Sequence, residues 1–443
     1  IAVCLIIIEV HLNLVKYRND DVIKWDVKGY YSYLPALFID HDLSLGFITP
    51  ENKSLYSGVK YAYVDDVNGN HIIKYPMGMA VLYAPFFLAA HLLATPLGYK
   101  QDGFSDIYQF CIEFSGLFYL LIGFWFLRKL LLQFYSEKMT ATTLLFIFFC
   151  TNLLYYSSAE AAMSHAYTFS LFSVFLYYVF EFYKAIRLKN VILLAICFGL
   201  IVLVRPLNVF LIMPLLLFKI NSVYDIKTRF LFFIKNYKYI IVFALIVALI
   251  LLPQLIYYKY VTGNWLVFSY GKERFYFNQF HQLDALLGFR KGWLIYTPVM
   301  LFSLIGLCYM RKQTVNGFTI SILILVPFYF YLVSSWWCWW YGGSFGLRAM
   351  IDVYPLLALP LAALFYKLNQ CDIYKRRFVY VVLGLLLFLN LFQTVQYKYN
   401  IIDYDGMTFK SYVHVFGTLD DEKIDTTLLK KPDYEKAVLG LPE

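Results

Sequence analysis

Long apolar stretches separated by short polar loops set the pattern of this chain. Eleven of them read as membrane spans: 1–15, 107–127, 139–156, 164–183, 190–204, 206–218, 237–258, 293–310, 318–334, 346–366 and 378–396. A helix needs roughly 20 apolar residues to cross the hydrocarbon core. A further stretch, 77–97, is nearly that long, and charge decides how it is read. With 128–138 in the cytoplasm and each later span crossing once, the cytoplasmic loops are 128–138, 184–190, 219–236, 311–317 and 367–377. They hold three, three, four, two and four Lys plus Arg, whereas the short outer loops 157–163 and 335–345 hold none. The positive-inside rule expects this bias.

Working backwards, 107–127 enters from outside, so 77–97 is expected to dip into the outer leaflet and return. The expected fold class is an all-α polytopic membrane protein with about 11 transmembrane helices. Its N-terminus is inside, and a long first outer loop (16–106) carries juxtamembrane helices. Tyr30 to Ile39 is one of these, too short to span and suited to the interface. One transmembrane unit covers 1–396, followed by a short outer tail, 397–443. The pair 190–204 and 206–218 is interrupted by Arg205-Pro206. Proline cannot donate within a continuing helix, so two short helices meeting at Arg205 are expected.

Composition supports the same class. The chain has 443 residues, of which 61% are hydrophobic, 21% aromatic and 15% charged, and its mean hydropathy is +0.61. Soluble domains carry roughly 25% charged residues. The net charge of +9 does not imply a nucleic-acid partner, because the cations lie in short loops beside the bilayer. The seven cysteines are scattered without a CxxC pair, so neither a zinc site nor a disulfide framework is indicated. The chain opens on Ile1, and its first span is about 22 Å long as a helix, so a trimmed start is expected.

The candidate chemistry collects on the outer side. Asn19 to Leu34 places Asp20, Asp21 and Asp26 with an aromatic cluster just after the first span. Asp26 is suited to cap a helix starting at Val27, or to act as a general base. Lys74 lies in the same loop, Glu160 and His165 at the turn after 139–156, and Arg205 at its hairpin. Arg290 and Lys291 end the outer loop 259–292, and Arg348 and Asp352 open the span after the tryptophan run. Ionisable groups at membrane depth are costly and mark functional sites by default. A carboxylate could take a hydroxyl proton, and Lys and Arg could hold a departing lipid phosphate.

Each has a plainer reading. Lys74, Arg290 and Lys291 could snorkel to headgroups, Glu160 could be a solvated turn residue, and His165 could bond a neighbouring helix end. Arg348 and Asp352, four apart on a predicted helix, could satisfy one another. Trp336 to Gly343 could be an interfacial belt, although Trp339, Trp340 and Tyr341 also offer flat faces for a sugar, as do Tyr30 and Tyr75.

These residues resemble the GT-C fold of membrane glycosyltransferases that use polyprenyl-phosphate sugars. The likeness is to the branch holding protein O-mannosyltransferases and the lipid A aminoarabinose transferase. Asp26 with GYYSYLP stands where that family keeps its catalytic acidic residue. Lys74-Tyr75-Pro76 and the segment after it are similar to the family's Lys-Pro and juxtamembrane helix. Glu160 to His165 falls near a second acidic site, and VLVRPLNVFLIMPLLLF resembles a short helix pair broken at Arg-Pro. The resemblance covers about residues 1–400.

It implies a polyprenyl-phosphate-linked sugar donor and an acceptor that is lipid, glycan or protein. It also implies a bacterial inner-membrane location with a periplasmic site and inversion at the anomeric carbon. Asp26 is followed by Val27 where the family often has Asp-Glu, and His165 lies near the second acidic position. Some members use a divalent metal ion, and this chain offers no clean ligand set, so the metal stays open. A lipid-linked substrate transporter or flippase and an inactive assembly partner are the alternatives. The first would want polar residues near the midplane and two matching halves, which the sequence lacks.

Overall fold

The computed structural model describes residues 8, 10–11, 21–56, 58–65, 69–310 and 317–441. Most of the expected first span, 1–15, and Asp20 lie outside the described residues. The described residues are mostly helical, with one short hairpin and irregular loops between the helices. Two short helices, α1 (Trp25–Tyr31) and α2 (Tyr33–Phe38), lie in the expected juxtamembrane region. Asp26 therefore sits in the first turn of α1 rather than capping it; Lys24 is the N-cap. The hairpin pairs β1 (Tyr63–Asp65) with β2 (His71–Ile73), antiparallel with Tyr63 opposite Ile73.

The longer helices follow as α3 (Gly78–Ala94), α4 (Asp106–Leu131), α5 (Glu137–Phe149), α6 (Ser164–Lys184) and α7 (Leu188–Val204). Then come α8 (Val223–Lys235), α9 (Tyr237–Thr262), α10 (Val299–Met310), α11 (Thr319–Ser334), α12 (Tyr354–Leu368) and α13 (Ile373–Lys398). Among the described residues, five segments are long and apolar enough to cross a membrane: Gly78–Leu97, Asp106–Leu131, Tyr237–Thr262, Arg348–Leu368 and Ile373–Lys398. Shorter apolar helices accompany them. The chain is a mostly helical protein with membrane-spanning character.

Several expected spans are interrupted, each for a local reason. The stretch 139–156 divides at Cys150, after which Asn152 turns inward and Leu153–Tyr156 forms a separate turn. The stretch 293–310 divides at Thr297-Pro298, since a residue before proline is pushed out of the α region. At Arg205-Pro206 the expected break occurs, but the chain continues as a 3-10 helix, Pro206–Ile212, before the α-turn Met213–Leu217. The stretch 346–366 begins with a 3-10 helix, Arg348–Val353. The expected cytoplasmic loop 219–236 contains α8, capped by a reciprocal Ser222–Asp225 box.

Lipid tails are as apolar as leucine, so helices in a membrane associate through close packing rather than hydrophobic exclusion. Glycines provide that approach here. A Cβ at Gly116 or Gly123 of α4 would overlap Ala161 or Ser170, and one at Gly306 of α10 would overlap the Pro360 carbonyl. The segment Arg348–Leu368 is the centre, with 94% of its most apolar window buried, whereas α9 has 6% and lines the outside.

α3 starts at Gly78, packed against the Leu203–Val204 backbone at the end of α7. It then runs antiparallel to α4: the Tyr119 hydroxyl donates to the Leu82 carbonyl (3.1 Å), Phe86 packs on Phe114 and Phe118, and His91 meets the Tyr108 hydroxyl (2.7 Å). These contacts follow the N-terminal half of α4, and α3 is one continuous helix with no reversal inside it.

Candidate active site: two aspartate–arginine pairs beside a cavity

Short elements between the long helices bring the site together. The Asn70 amide donates to the Val261 carbonyl (2.7 Å) and the Tyr257 hydroxyl accepts from the Ile73 N–H (2.8 Å), fixing the hairpin on the end of α9. That anchor aims Lys74 and Tyr75 at α1. Gly29 has no side chain in the way, so the Tyr75 ring lies against α1 and its hydroxyl donates to Asp26 Oδ1 at 2.7 Å. Arg348 arrives from the opposite side of the chain. Its loop is held by the Asn152 amide on the Phe345 carbonyl (3.0 Å) and by the Phe345 N–H on the Tyr156 hydroxyl (2.9 Å). The guanidinium then donates to Asp26 Oδ2 at 2.7 Å.

A second pair lies behind the first. Asp352 Oδ2 accepts from Arg205 (2.8 Å), Asn208 (3.0 Å) and the Tyr329 hydroxyl (3.0 Å), while Oδ1 faces His165 Nδ1 at 3.2 Å. Arg205 also donates to the Ser164 hydroxyl (3.1 Å), which stands 3.5 Å from that of Tyr30. Arg348 and Asp352 thus do not satisfy one another as the helical spacing suggested. They sit on a 3-10 helix, where i and i+3 eclipse and i+4 is turned away. Each reaches a different partner.

The first pair opens on a cavity of about 880 Å³. Asp26, Arg348, Glu160 and Tyr341 line it, together with Gly342 and Gly343. Lys24, Trp25, Tyr397, Lys398, Asn400, Asp405 and Tyr434 are also in the wall and are not among the sequence candidates. Three wall residues, Trp25, Tyr341 and Asn400, hold φ of 47°, 57° and 59°. Backbone strain of this kind collects at functional sites and persists only where packing over-determines it.

Burial alone would push the Asp26 carboxyl up. The Arg348 charge and the bonds from Tyr75 and Arg348 outweigh it, with Lys74 adding to them, and hold the group below the usual carboxylate range. Asp26 is thus an ionised acceptor at neutral pH.

The other candidates are distributed around this centre. Lys74 is engaged by Glu273 at 2.6 Å and lies over the Tyr75 and Tyr270 rings. Arg205 is one contact behind the cavity. Arg290 donates to the Lys430 carbonyl (3.2 Å) and lies over Trp339 and Trp340. Both tryptophans are buried and neither lines the cavity: the Trp340 indole donates to Tyr434 of the tail at 3.3 Å, whereas Trp339 stacks on His281. Lys291 is buried, donating to the Ser344 and Tyr404 carbonyls. Burial lowers its amine to about 7 against the opposing pull of Asp405 and Asp403.

Tyr30 and Tyr75 pack edge to face at 4.8 Å. Among the described residues, no group of three or more His, Cys, Asp or Glu is placed to hold a metal ion. The donor set at Asp26, two of whose neighbours are Arg348 and Tyr75, suits an anion–cation pair better than a divalent ion.

The chain matches no family model and no curated protein.

What the sequence missed is mainly the tail. Asp405 accepts from Tyr434 (3.0 Å) and Lys431 (3.0 Å), and Lys431 also bridges Asp403 (2.7 Å). The run Asp403-Tyr404-Asp405 and the pair Lys430-Lys431 were the available signal, opposite charges 26 to 28 residues apart.

Proposed function

We propose that this chain is an integral membrane glycosyltransferase of GT-C-like architecture with about 11 crossings. It moves a sugar from a polyprenyl-phosphate donor to an acceptor hydroxyl at the periplasmic face of a bacterial inner membrane. One observation carries the reading: an ionised carboxylate, Asp26, held by Tyr75 and Arg348 on the wall of an 880 Å³ cavity. The cavity lies at the end of the bundle that the charge bias puts outside.

In this reaction Asp26 takes the acceptor proton as the acceptor oxygen bonds the anomeric carbon. The bond from that carbon to the phosphate oxygen breaks, and polyprenyl phosphate leaves with the bonding pair. A single direct displacement inverts the anomeric centre. Arg348 shares the wall with Asp26, so it is the cation placed to meet the departing phosphate, with Lys24 and Lys398 nearby. Arg205 and Lys74 then act from behind, by holding Asp352 and Glu273. The open side of the cavity at Tyr341, Gly342 and Gly343 offers an aromatic face and bare backbone to a sugar ring.

Purified full chain, incubated with polyprenyl phosphates carrying different labelled sugars, tests the proposal. Release of free polyprenyl phosphate with at least one donor and acceptor extract supports it. Movement of intact donor between leaflets without release, or no change with any donor, contradicts it.

A further inference from the structure

The opposite end of the bundle holds a second recess that the proposed transfer leaves unused. Its volume is about 320 Å³, and it lies between the foot of α6 (Phe182), the start of α7 (Leu194), the segment after Arg205 (Ile212) and the α8–α9 elbow (Phe233, Phe243). Apart from Asn236 and Tyr239 at the elbow, its lining is apolar. A space of this size with so few polar partners suits hydrocarbon rather than water. Its outer wall, α9, is the span with the least burial, 6%, and the highest mean hydropathy, 2.8. The recess therefore adjoins a face that meets lipid.

Charge marks what fills it. α8 is amphipathic, exposing Val223, Ile226, Phe230 and Ile234 at helical spacing, as a helix lying in the interface does. Exposed Lys235 and Lys238 flank the lining residue Asn236. Arg229 precedes the lining residue Phe230. Its guanidinium lies 4.1 Å from the Tyr183 ring centroid and donates to the Phe218 carbonyl, but its buried Nε has no acceptor among the described residues. An apolar recess whose lining residues Phe230 and Asn236 have cations beside them along the chain is complementary to a lipid with a negative headgroup.

We propose that this recess binds one acyl chain of an anionic diacyl phospholipid, whose phosphate is held by Arg229, Lys235 and Lys238. The site is separate from the cavity at Asp26, and it needs only the membrane character of the bundle, not the transferase reading.

Native mass spectrometry of the detergent-solubilised full chain, titrated with dioleoyl phosphatidylglycerol or dioleoyl phosphatidylcholine, tests this. Phosphatidylglycerol is expected to fill one site well before the zwitterionic lipid with the same chains. Each basic side chain near an anionic lipid contributes about fivefold, so the double variant Lys235→Gln, Lys238→Gln should weaken phosphatidylglycerol ~30-fold. Both lysines are exposed, so the variant should fold. Leu194→Trp, which fills the recess, should reduce binding of both lipids. Equal binding of the two lipids, or unchanged binding by the double variant, overturns the proposal. So does one-for-one displacement of phosphatidylglycerol by polyprenyl phosphate, which would assign the recess to an isoprenoid tail.

Discussion

Asp26 and Asp352 are each paired with a half-buried arginine, and they are linked through Tyr30 and Ser164, yet they are built for different ends. Asp352 is fully buried and meets Arg205 and Asn208 from the segment at Pro206, Tyr329 from α11 and His165 from α6. Asp26 has two donors and keeps 26% of its side chain exposed on the cavity wall. A buried ion pair gains little net stability, but losing one partner leaves the other charge stranded. Asp352 therefore locks helices together. In the proposed reaction Asp26 changes partners when the acceptor arrives. The same chemistry serves as a structural lock in one place and is left available for reaction in the other.

The sharpest way to break this contrast is to remove each carboxylate in turn. Asp26→Asn should lower donor turnover by roughly 10²- to 10⁴-fold, the range for losing a general base, with the melting temperature of the solubilised protein close to wild type. Asp352→Ala should do the reverse, costing about 3 kcal/mol of stability because Arg205, Asn208 and Tyr329 lose the buried carboxylate they share. Thermal unfolding in detergent reads this, and a wild-type midpoint would remove Asp352 from the lock.

Tyr75→Phe deletes one hydrogen bond to a charged group, worth about 1.5–3 kcal/mol. It should move the acid limb of the pH–rate profile to higher pH. In the wild type, Asp26 is held below the usual carboxylate range, so the favourable energy of its ionised form is present above that range and lost as pH falls through its folded value. A profile that does not move would show that the Tyr75 bond does not tune the base.

Lys291→Met acts on the pH dependence of stability alone and leaves turnover unchanged. The folded amine is lowered to about 7 from 10.5, so between those values the unfolded chain binds the proton that the folded chain has released. Stability contributed here rises with pH across that window. The variant should flatten the rise, measured by denaturant unfolding at several pH values; an unchanged slope would contradict it.

The long elements were legible because apolar runs and loop cations are written along the chain. Arg205-Pro206 announced its break through the ring of proline. The convergence of Asp26, Tyr75 and Arg348 was legible only as a shared side of the membrane. Their contact depends on a hairpin seated on α9 and on Gly29, neither of which has a spacing rule. Arg348 and Asp352 have α-helical spacing but lie on a 3-10 turn, which does not bring residues four apart together. The helix at Val223–Lys235 was present in the period of Val223, Ile226, Phe230 and Ile234, but its lysines made it resemble a loop. The tail was opaque since its partners, Trp340 and Lys291, lie far away in sequence.

Release of polyprenyl phosphate by folded Asp26→Asn protein, set beside wild type with the same labelled donor, tests the central claim most directly. The account predicts release by the wild type and loss of at least two orders of magnitude in the variant, at an unchanged melting temperature. Equal turnover by the two proteins would contradict it.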